Sequence, residues 1–120
     1  MNVEEVRHYA LGLKATTEDF PFDAETLALR VGDKIFALLP LETQGMINLK
    51  CDPDRAILLR EEFDAITPGY HMNKKWWNTV DYSRLPATLV KSLIEHSHAL
   101  VAAGLTKQKN KTWVSSNWPI

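Results

Sequence analysis

The sequence predicts an α+β domain in which an antiparallel β-sheet carries helices packed on one face, with one helix near each terminus. A helical apolar period opens the chain, several extended apolar segments follow, and a long helical stripe comes after them. This order of elements favours a two-layer arrangement. The chain has 120 residues, 45% hydrophobic and 24% charged, which is the size and composition of one globular domain.

The first helix is predicted over Val3–Leu11. Asn2 and Glu5 make an approximate capping box, because the Asn side chain can accept a bond from a free backbone N–H and Glu5 can reach back. Apolar residues then recur at helical spacing, and Gly12 is the predicted stop.

The next part of the chain predicts strands. Alternation over Leu27–Val31 indicates a half-buried strand, and Gly32-Asp33 predicts a tight hairpin turn, since glycine adopts positive φ without steric cost. Lys34–Leu39 is then the return strand. Met46–Lys50 is a third strand, and Ala15–Phe20 is a candidate for a short earlier one.

A helix and two more extended segments follow. A turn is predicted over Leu41–Gly45. Asp52 as N-cap and a proline at the first helical position predict a helix over Pro53–Phe63. Ala65–Gly69 and Trp76–Tyr82 are then predicted to be extended.

The last helix has the clearest pattern. Its core-facing stripe repeats at three and four residues and comprises Leu89, Val90, Leu93, Ile94, Ser97, Leu100 and Val101. Pro86 can occupy the first turn, and Gly104 is predicted to lie just past the end. We therefore predict a single domain over residues 1–105, followed by a tail of unassigned order over residues 106–120. The apolar residues of the tail include Trp113, Val114 and Trp118.

The charges are unevenly distributed along the chain. Residues 1–65 carry thirteen Asp or Glu and seven Lys or Arg, a net charge of −6. Residues 66–120 carry two acids and seven bases, a net charge of +5. A basic segment of this kind suits a polyanion. The alternative is that the two halves pack together and partly neutralise each other.

The composition also bears on the cellular location. No apolar run approaches the roughly 20 residues that span a bilayer, and the polar start Met1–Glu5 is unlike a signal peptide. Cys51 is the single cysteine, so no internal disulfide can form. We expect a cytoplasmic protein with no membrane partner.

The sequence lacks the common motifs of catalytic and metal sites. It has no Gly-x-Ser-x-Gly, Gly-x-Gly-x-x-Gly, Cys-x-x-Cys or His-Glu-x-x-His. His96 and His98 are two residues apart on a predicted helix, so they point about 200° apart. Cys51 falls among inward-facing strand residues, where a core thiol is expected. We expect no enzymatic activity, no cofactor and no metal site.

The segment Tyr70–Val80 is the best candidate for a working surface. Two lysines are followed directly by two tryptophans: Lys74, Lys75, Trp76 and Trp77. Ammonium groups neutralise phosphates, and aromatic rings stack on bases or wedge into a groove. Because neighbouring strand residues face opposite ways, one tryptophan can enter the core, and Trp76 is expected at the surface. The alternative is a polar-tipped hairpin with both tryptophans packed beneath the last helix.

The residues Pro68–Lys75 and Trp77–Val80 resemble the signature of the MmcQ/YjbR family of small bacterial proteins. The resemblance extends over about residues 1–105 and includes the Gly32-Asp33 hairpin and the Asp52-Pro53 helix start. It implies a fold similar to that of CyaY, the bacterial frataxin homologue: an antiparallel sheet flanked by helices. It also implies DNA binding through a double-wing arrangement, in which β-hairpins contact the duplex.

Together these observations predict a non-catalytic DNA-binding protein that contacts the duplex mainly through phosphates. The candidate DNA-binding residues are His71, Asn73, Lys74, Lys75, Trp76, Arg84 and Lys91. The alternative is a protein- or small-ligand-binding module with a groove around Tyr70, His71 and Trp77, because the net charge of −1 is far from strongly basic. A third interpretation is an enzyme that uses His71 as a general base. A homo-oligomer remains open.

Overall fold

A computed structural model of the chain describes residues 1–42, 45–69 and 72–112, with the backbone alone for 106–112. Its elements are α1 (Val3–Leu11), β1 (Thr16–Asp19), β2 (Thr26–Val31), β3 (Lys34–Pro40), β4 (Met46–Lys50), α2 (Pro53–Glu62), β5 (Ile66–Pro68), β6 (Trp77–Asp81), a 3₁₀ turn (Tyr82–Arg84) and α3 (Ala87–Thr112). The strands form one antiparallel sheet in the order β1-β2-β3-β4-β6-β5, which confirms the predicted α+β class. No helix in this part of the chain is long and apolar enough to cross a membrane.

The register of the sheet explains why the three helices lie on one face. One row of buried residues crosses four strands: Leu29, Ala37, Leu49 and Asn78. Glu18 extends this row on β1 and pairs with Arg7 of α1, while Asn78 contacts the Ala56 carbonyl oxygen of α2. Ile94 of α3 is fully buried in the same core. Within the described residues, the opposite face of the sheet carries no helix.

The two predicted N-caps, Asn2 and Asp52, are confirmed. Asn2 Oδ1 accepts a bond from the Glu5 N–H and Glu5 Oε1 accepts one from the Asn2 N–H, each at 2.9 Å. Asp52 Oδ2 accepts bonds from the N–H groups of Asp54 and Arg55, each at 3.2 Å. These side chains satisfy backbone donors that have no partner inside a helix.

The β2–β3 hairpin closes through Gly32 and Asp33, as predicted, with left-handed φ angles of 50° and 71°. Beyond the turn the register shifts and Phe36 forms a β-bulge. Ser97 Oγ donates to the Phe36 carbonyl oxygen at 2.5 Å and accepts from the Lys50 N–H at 2.9 Å. Ser97 therefore bridges β3 and β4 beyond the end of their ladder.

The predicted end of the last helix is wrong. The helix α3 continues through Gly104 to Thr112. A glycine inside a helix costs only about 1 kcal/mol relative to alanine, and the next residue, Leu105, is buried against the core. Residues 113–120 of the predicted tail, and part of the turn predicted over Leu41–Gly45, lie outside the described residues.

Candidate nucleic-acid interface

The segment from Asn73 to Trp76 forms a β-turn between β5 and β6, which we call the basic turn. The Trp76 N–H donates to the Asn73 carbonyl oxygen, and the Lys75 N–H donates to Asn73 Oδ1, both at 3.0 Å. Asparagine suits the first position because its side chain satisfies the backbone of the turn itself. Lys74 and Lys75 occupy the two corners of the turn, and both are exposed.

The basic turn is tied to the sheet on both sides. The Gly69 N–H donates to the Trp77 carbonyl oxygen at 2.9 Å, and the Met72 N–H donates to the Gly69 carbonyl oxygen at 3.0 Å. A Cβ atom at Gly69 would lie 3.0 Å from the Cβ of Trp77, so glycine permits this close approach. On the other side, the Cys51 N–H donates to the Trp76 carbonyl oxygen at 2.7 Å.

Arg60 of α2 holds the basic turn in place. Its Nη2 donates to the Lys74 carbonyl oxygen, and its Nε donates to Asn78 Oδ1 at 2.6 Å. Asn78 is only 2% exposed, and its Nδ2 contacts the Ala56 carbonyl oxygen at 3.5 Å. Sequence reasoning did not identify Arg60 as a site residue, because no local motif links a helix residue to a turn fourteen positions later.

The two tryptophans differ from the expectation that one would be buried and the other exposed. Both Trp76 and Trp77 are half-buried. Asn78 and Val80 lie on the buried face of β6, so Trp77 faces the helix-free side instead of entering the core. The Trp76 ring lies beside Lys50, whose Nζ is 5.4 Å from the ring centroid, in the range of a cation–π contact.

Lys50 and the basic turn lie at the same end of the sheet. Trp77 pairs with Lys50 where β6 begins and β4 ends. The turn between β2 and β3 is at this end too, since β4 runs antiparallel to β3, which starts at Lys34. We call this the hairpin end.

Arg84 lies at the opposite end of the sheet. It belongs to the 3₁₀ turn that follows β6, beyond the pair formed by Met46 and Asp81. The Asp81 carboxylate caps this turn by accepting from the Ser83 N–H at 3.1 Å. The structure therefore does not bring Arg84 together with the basic turn.

Lys91 is also separate from the basic turn. It is exposed on α3 with its Nζ 5.3 Å from the centroid of the Tyr9 ring on α1. The Tyr9 hydroxyl donates to Glu95, one turn further along α3. Lys91 thus belongs to the packing between two helices. The remaining predicted contacts, Tyr70 and His71, lie outside the described residues.

The two histidines of α3 contact different elements. His96 Nε2 accepts a bond from the Asp52 N–H at 3.1 Å, and burial, with a smaller effect of Arg55, lowers the pKa of the His96 imidazole. The His98 ring N–H donates to the Lys14 carbonyl oxygen at 2.8 Å. Each histidine therefore fixes a backbone segment, at the start of α2 and before β1.

Cys51 is a buried thiol, and desolvation raises its pKa. A raised pKa disfavours the thiolate, which is the reactive form of cysteine. Among the side chains that the structure describes, no three His, Cys, Asp or Glu groups are placed to hold a metal ion.

Comparison with known proteins places the chain in a family. The YjbR family model matches residues 11–100. The chain belongs to the YjbR family. Relatives within this family include YbdF of Escherichia coli O157:H7, described as uncharacterized, which is 38% identical over 111 residues covering 90% of each chain. YjbR of E. coli K12, also described as uncharacterized, is 27% identical over 116 residues, covering 95% of this chain and 98% of its own.

Solved structures support the YjbR-family fold. A Deinococcus radiodurans protein with a DUF419 domain superimposes with a TM-score of 0.81 at 37% identity, covering 91% of this chain and 85% of that chain. A Pseudomonas syringae crystal structure superimposes with a TM-score of 0.71 at 31% identity, covering 83% and 98% respectively. The family resemblance of the sequence is thereby confirmed.

Proposed function

We propose that this YjbR-family protein binds duplex DNA without catalysis, mainly through phosphate contacts at the hairpin end of the sheet. The observation that carries the proposal is the geometry of the basic turn. Lys74 and Lys75 stand exposed at its two corners, while Arg60 fixes its backbone. Because the backbone of the turn is already ordered, contact between its lysines and phosphates avoids the entropic cost of ordering a loop.

Two further features support the proposal. Trp76 is half-buried beside the lysines, so its exposed edge is available to a base or sugar. The β2–β3 turn lies at the same end, and β3 and β6 are separated by β4 alone. Two strand spacings are about 10 Å, so both hairpins would reach one duplex in the double-wing mode implied by the family resemblance. We propose that the protein binds DNA in the cytoplasm.

Fluorescence anisotropy of a labelled random-sequence duplex, titrated with the protein across a salt series, tests this function. We expect a dissociation constant in about the micromolar range at low salt, with affinity falling steeply as salt rises. Lys74→Ala with Lys75→Ala is expected to lower the slope of log K against log salt by about two units, equally for all sequences. An absence of binding at low salt would overturn the proposal.

A matched control removes the same charge elsewhere. Arg84→Ala with Lys91→Ala eliminates two cations away from the basic turn and is expected to leave the salt slope unchanged. If both double variants lost the same slope, net charge rather than the basic turn would govern binding.

The second candidate is a protein- or small-ligand-binding module. Trp77 is half-buried on the helix-free face of the sheet. Asp33 and Asp52 reduce the positive electrostatic potential of the hairpin end. If the protein does not bind DNA, a screen for protein and small-molecule partners tests this alternative. A partner that occupies the groove is expected to bind the wild type and to lose binding to the Trp77→Ala variant. A partner that binds this variant as well as the wild type excludes the groove around Trp77.

A further inference from the structure

A cavity at the hairpin end lies where the ends of β3 and β4 separate, beside the last helix. It has a volume of about 280 Å³ and is lined by Lys34, Ile35, Lys50, Leu100, Val101, Gly104 and Leu105. The basic turn is not part of this lining. We call this cavity the α3 cleft.

The bulge in β3 accounts for the position of the α3 cleft. The β3–β4 ladder contains only two pairs, of which Ala37 with Leu49 is nearer the hairpin end. Beyond it, Ser97 Oγ takes the place of a ladder partner for the Lys50 N–H and the Phe36 carbonyl oxygen. The ends of the two strands therefore lie apart beneath α3.

Gly104 lines the cleft on the side of the helix. A Cβ atom at this position would have no heavy atom of the described residues within 4 Å. Glycine is not needed there for its backbone conformation, because the residue lies inside a helix where alanine is more favourable. Gly104 is exposed and lines the cleft, so there is room at this position for a larger side chain.

The lining combines two cations with an apolar wall. Lys34 is exposed and Lys50 is half-buried, and none of the described residues that line the cleft is acidic. The Lys50 Nζ lies 5.4 Å from the centroid of the Trp76 ring, which is outside the lining. The remaining side chains are aliphatic. Such a surface is complementary to a negative charge attached to an apolar group.

A larger cavity of about 560 Å³ near α1 does not share this property. Arg7 in its lining is already paired with Glu18, and Asp19 is paired with Arg30. Charges that neutralise each other within the protein provide less attraction for an ionic ligand.

We propose that the α3 cleft binds a small organic anion, a carboxylate that carries a compact aryl or branched alkyl group. Lys34 and Lys50 contact the carboxylate, and the aliphatic residues of α3 and β3 contact the apolar group. The volume is near the lower limit of about 300 Å³ for small-molecule sites, which restricts the ligand to a compact one. This inference does not depend on DNA binding.

Titration of the full-length protein with 2-naphthoate tests the chemistry of the cleft. Methyl shifts of Ile35, Leu100 and Val101 in carbon–proton NMR spectra report occupancy, and calorimetry gives the dissociation constant. The uncharged analogue 2-naphthalenemethanol has a similar ring and is expected to bind at least about tenfold more weakly. Equal affinity for both compounds, or no saturable methyl shifts with 2-naphthoate, would overturn the proposal.

Variants then locate the site. Gly104→Leu fills the cleft and is expected to abolish binding, whereas Gly104→Ala, a smaller change, is expected to retain part of it. Both replacements favour the helix over glycine, and urea unfolding verifies that each variant folds. Unchanged 2-naphthoate affinity in folded Gly104→Leu would show that the anion binds elsewhere.

Charge variants provide a second criterion that does not depend on filling the cleft. Lys34→Gln with Lys50→Gln is expected to weaken 2-naphthoate binding at least about tenfold while leaving 2-naphthalenemethanol unaffected. Arg84→Gln with Lys91→Gln is the matched control and is expected to change neither. Equal weakening by both double variants would contradict the assignment of the two cleft lysines.

Discussion

The two turns at the hairpin end are built in different ways. The β2–β3 turn uses Gly32 and Asp33, both in the left-handed region, with φ of 50° and 71°. Its further side-chain contact comes from a neighbour, Arg30, whose Nη1 donates to the Asp33 carbonyl oxygen at 2.8 Å. The basic turn has a local bond too, from Lys75 N–H to Asn73 Oδ1, but its position depends on α2.

The difference shows which turn of the candidate interface is specified by its own residues and which also depends on another element. A turn specified by positive φ values is favoured by its own residues, without a contact from another element. The basic turn is bonded in addition by Arg60, which is in place only when α2 has docked on the sheet. The orientation of Lys74 and Lys75 is therefore coupled to the packing of a helix that does not contain them.

Among the variants that test this comparison, Arg60→Met should cause the largest loss of stability. It leaves Asn78 Oδ1 buried without its charged donor and releases the Lys74 carbonyl oxygen. We expect a loss of about 2–3 kcal/mol in the free energy of unfolding, measured by urea denaturation. Faster amide exchange at Trp76, without a change at Lys34, would localise the effect to the basic turn.

The matched control is Arg30→Met beside the other turn. The ion pair between Arg30 and Asp19 has side chains 25% and 47% exposed. Exposed pairs contribute about 0–1 kcal/mol, so this variant should lose much less stability than Arg60→Met. Equal losses would show that the two turns do not differ in their dependence on an arginine.

Substitutions of the turn residues themselves should reverse this order, so that the β2–β3 turn loses more stability than the basic turn. Gly32→Val forces a β-branched residue into the left-handed region and is expected to cost about 1–2 kcal/mol. Asn73→Ala removes one side-chain bond to the Lys75 N–H and is expected to cost about 0.5–1.5 kcal/mol. Urea midpoints of the two variants measure both. A cost for Asn73→Ala well above that for Gly32→Val would mean that the basic turn is specified locally after all.

The smallest expected effect is a pH dependence transmitted through α2. Neutral His96 accepts the Asp52 N–H, and burial, with Arg55 nearby, lowers its pKa below 6.5 in the folded state. The folded state therefore disfavours the protonated form. The resulting stabilisation is fully present above about pH 6.5 and is lost as the pH falls through the lowered pKa.

His96→Gln keeps an acceptor for the Asp52 N–H but does not titrate. We expect the urea midpoint of the wild type to fall more than that of the variant between pH 7.5 and pH 5. All other titrating groups are common to both proteins, so the difference isolates His96. Parallel curves over this range would exclude a contribution from this imidazole.

Local patterns predicted the elements of the fold well, because each signal acts over a few residues. The capping box at Asn2 and Glu5 and the Gly32-Asp33 turn are where the sequence places them. The exception, the end of α3, arose because a local stop signal at Gly104 competed with burial of Leu105, which only packing reveals.

The candidate interface was less predictable than the fold. Lys74 and Lys75 were recognisable by composition, but Lys50 became part of the hairpin end through strand pairing with Trp77. Arg84 and Lys91 are close to the lysines in sequence and lie elsewhere in the structure. Proximity along the chain is a poor guide to a surface once the chain has folded.

Caps, periodicity and short motifs in the sequence were enough to predict the α+β class, the starts of α1 and α2, the tight hairpin and the family. Tertiary packing was needed to show where the basic turn is held and which lysines share its end of the sheet. It was also needed to show that Ser97 joins β3 to β4 beyond their ladder and that Gly104 lines a cleft. Arg60, Ser97 and Gly104 lie beside elements distant in sequence, and no local preference encodes such contacts.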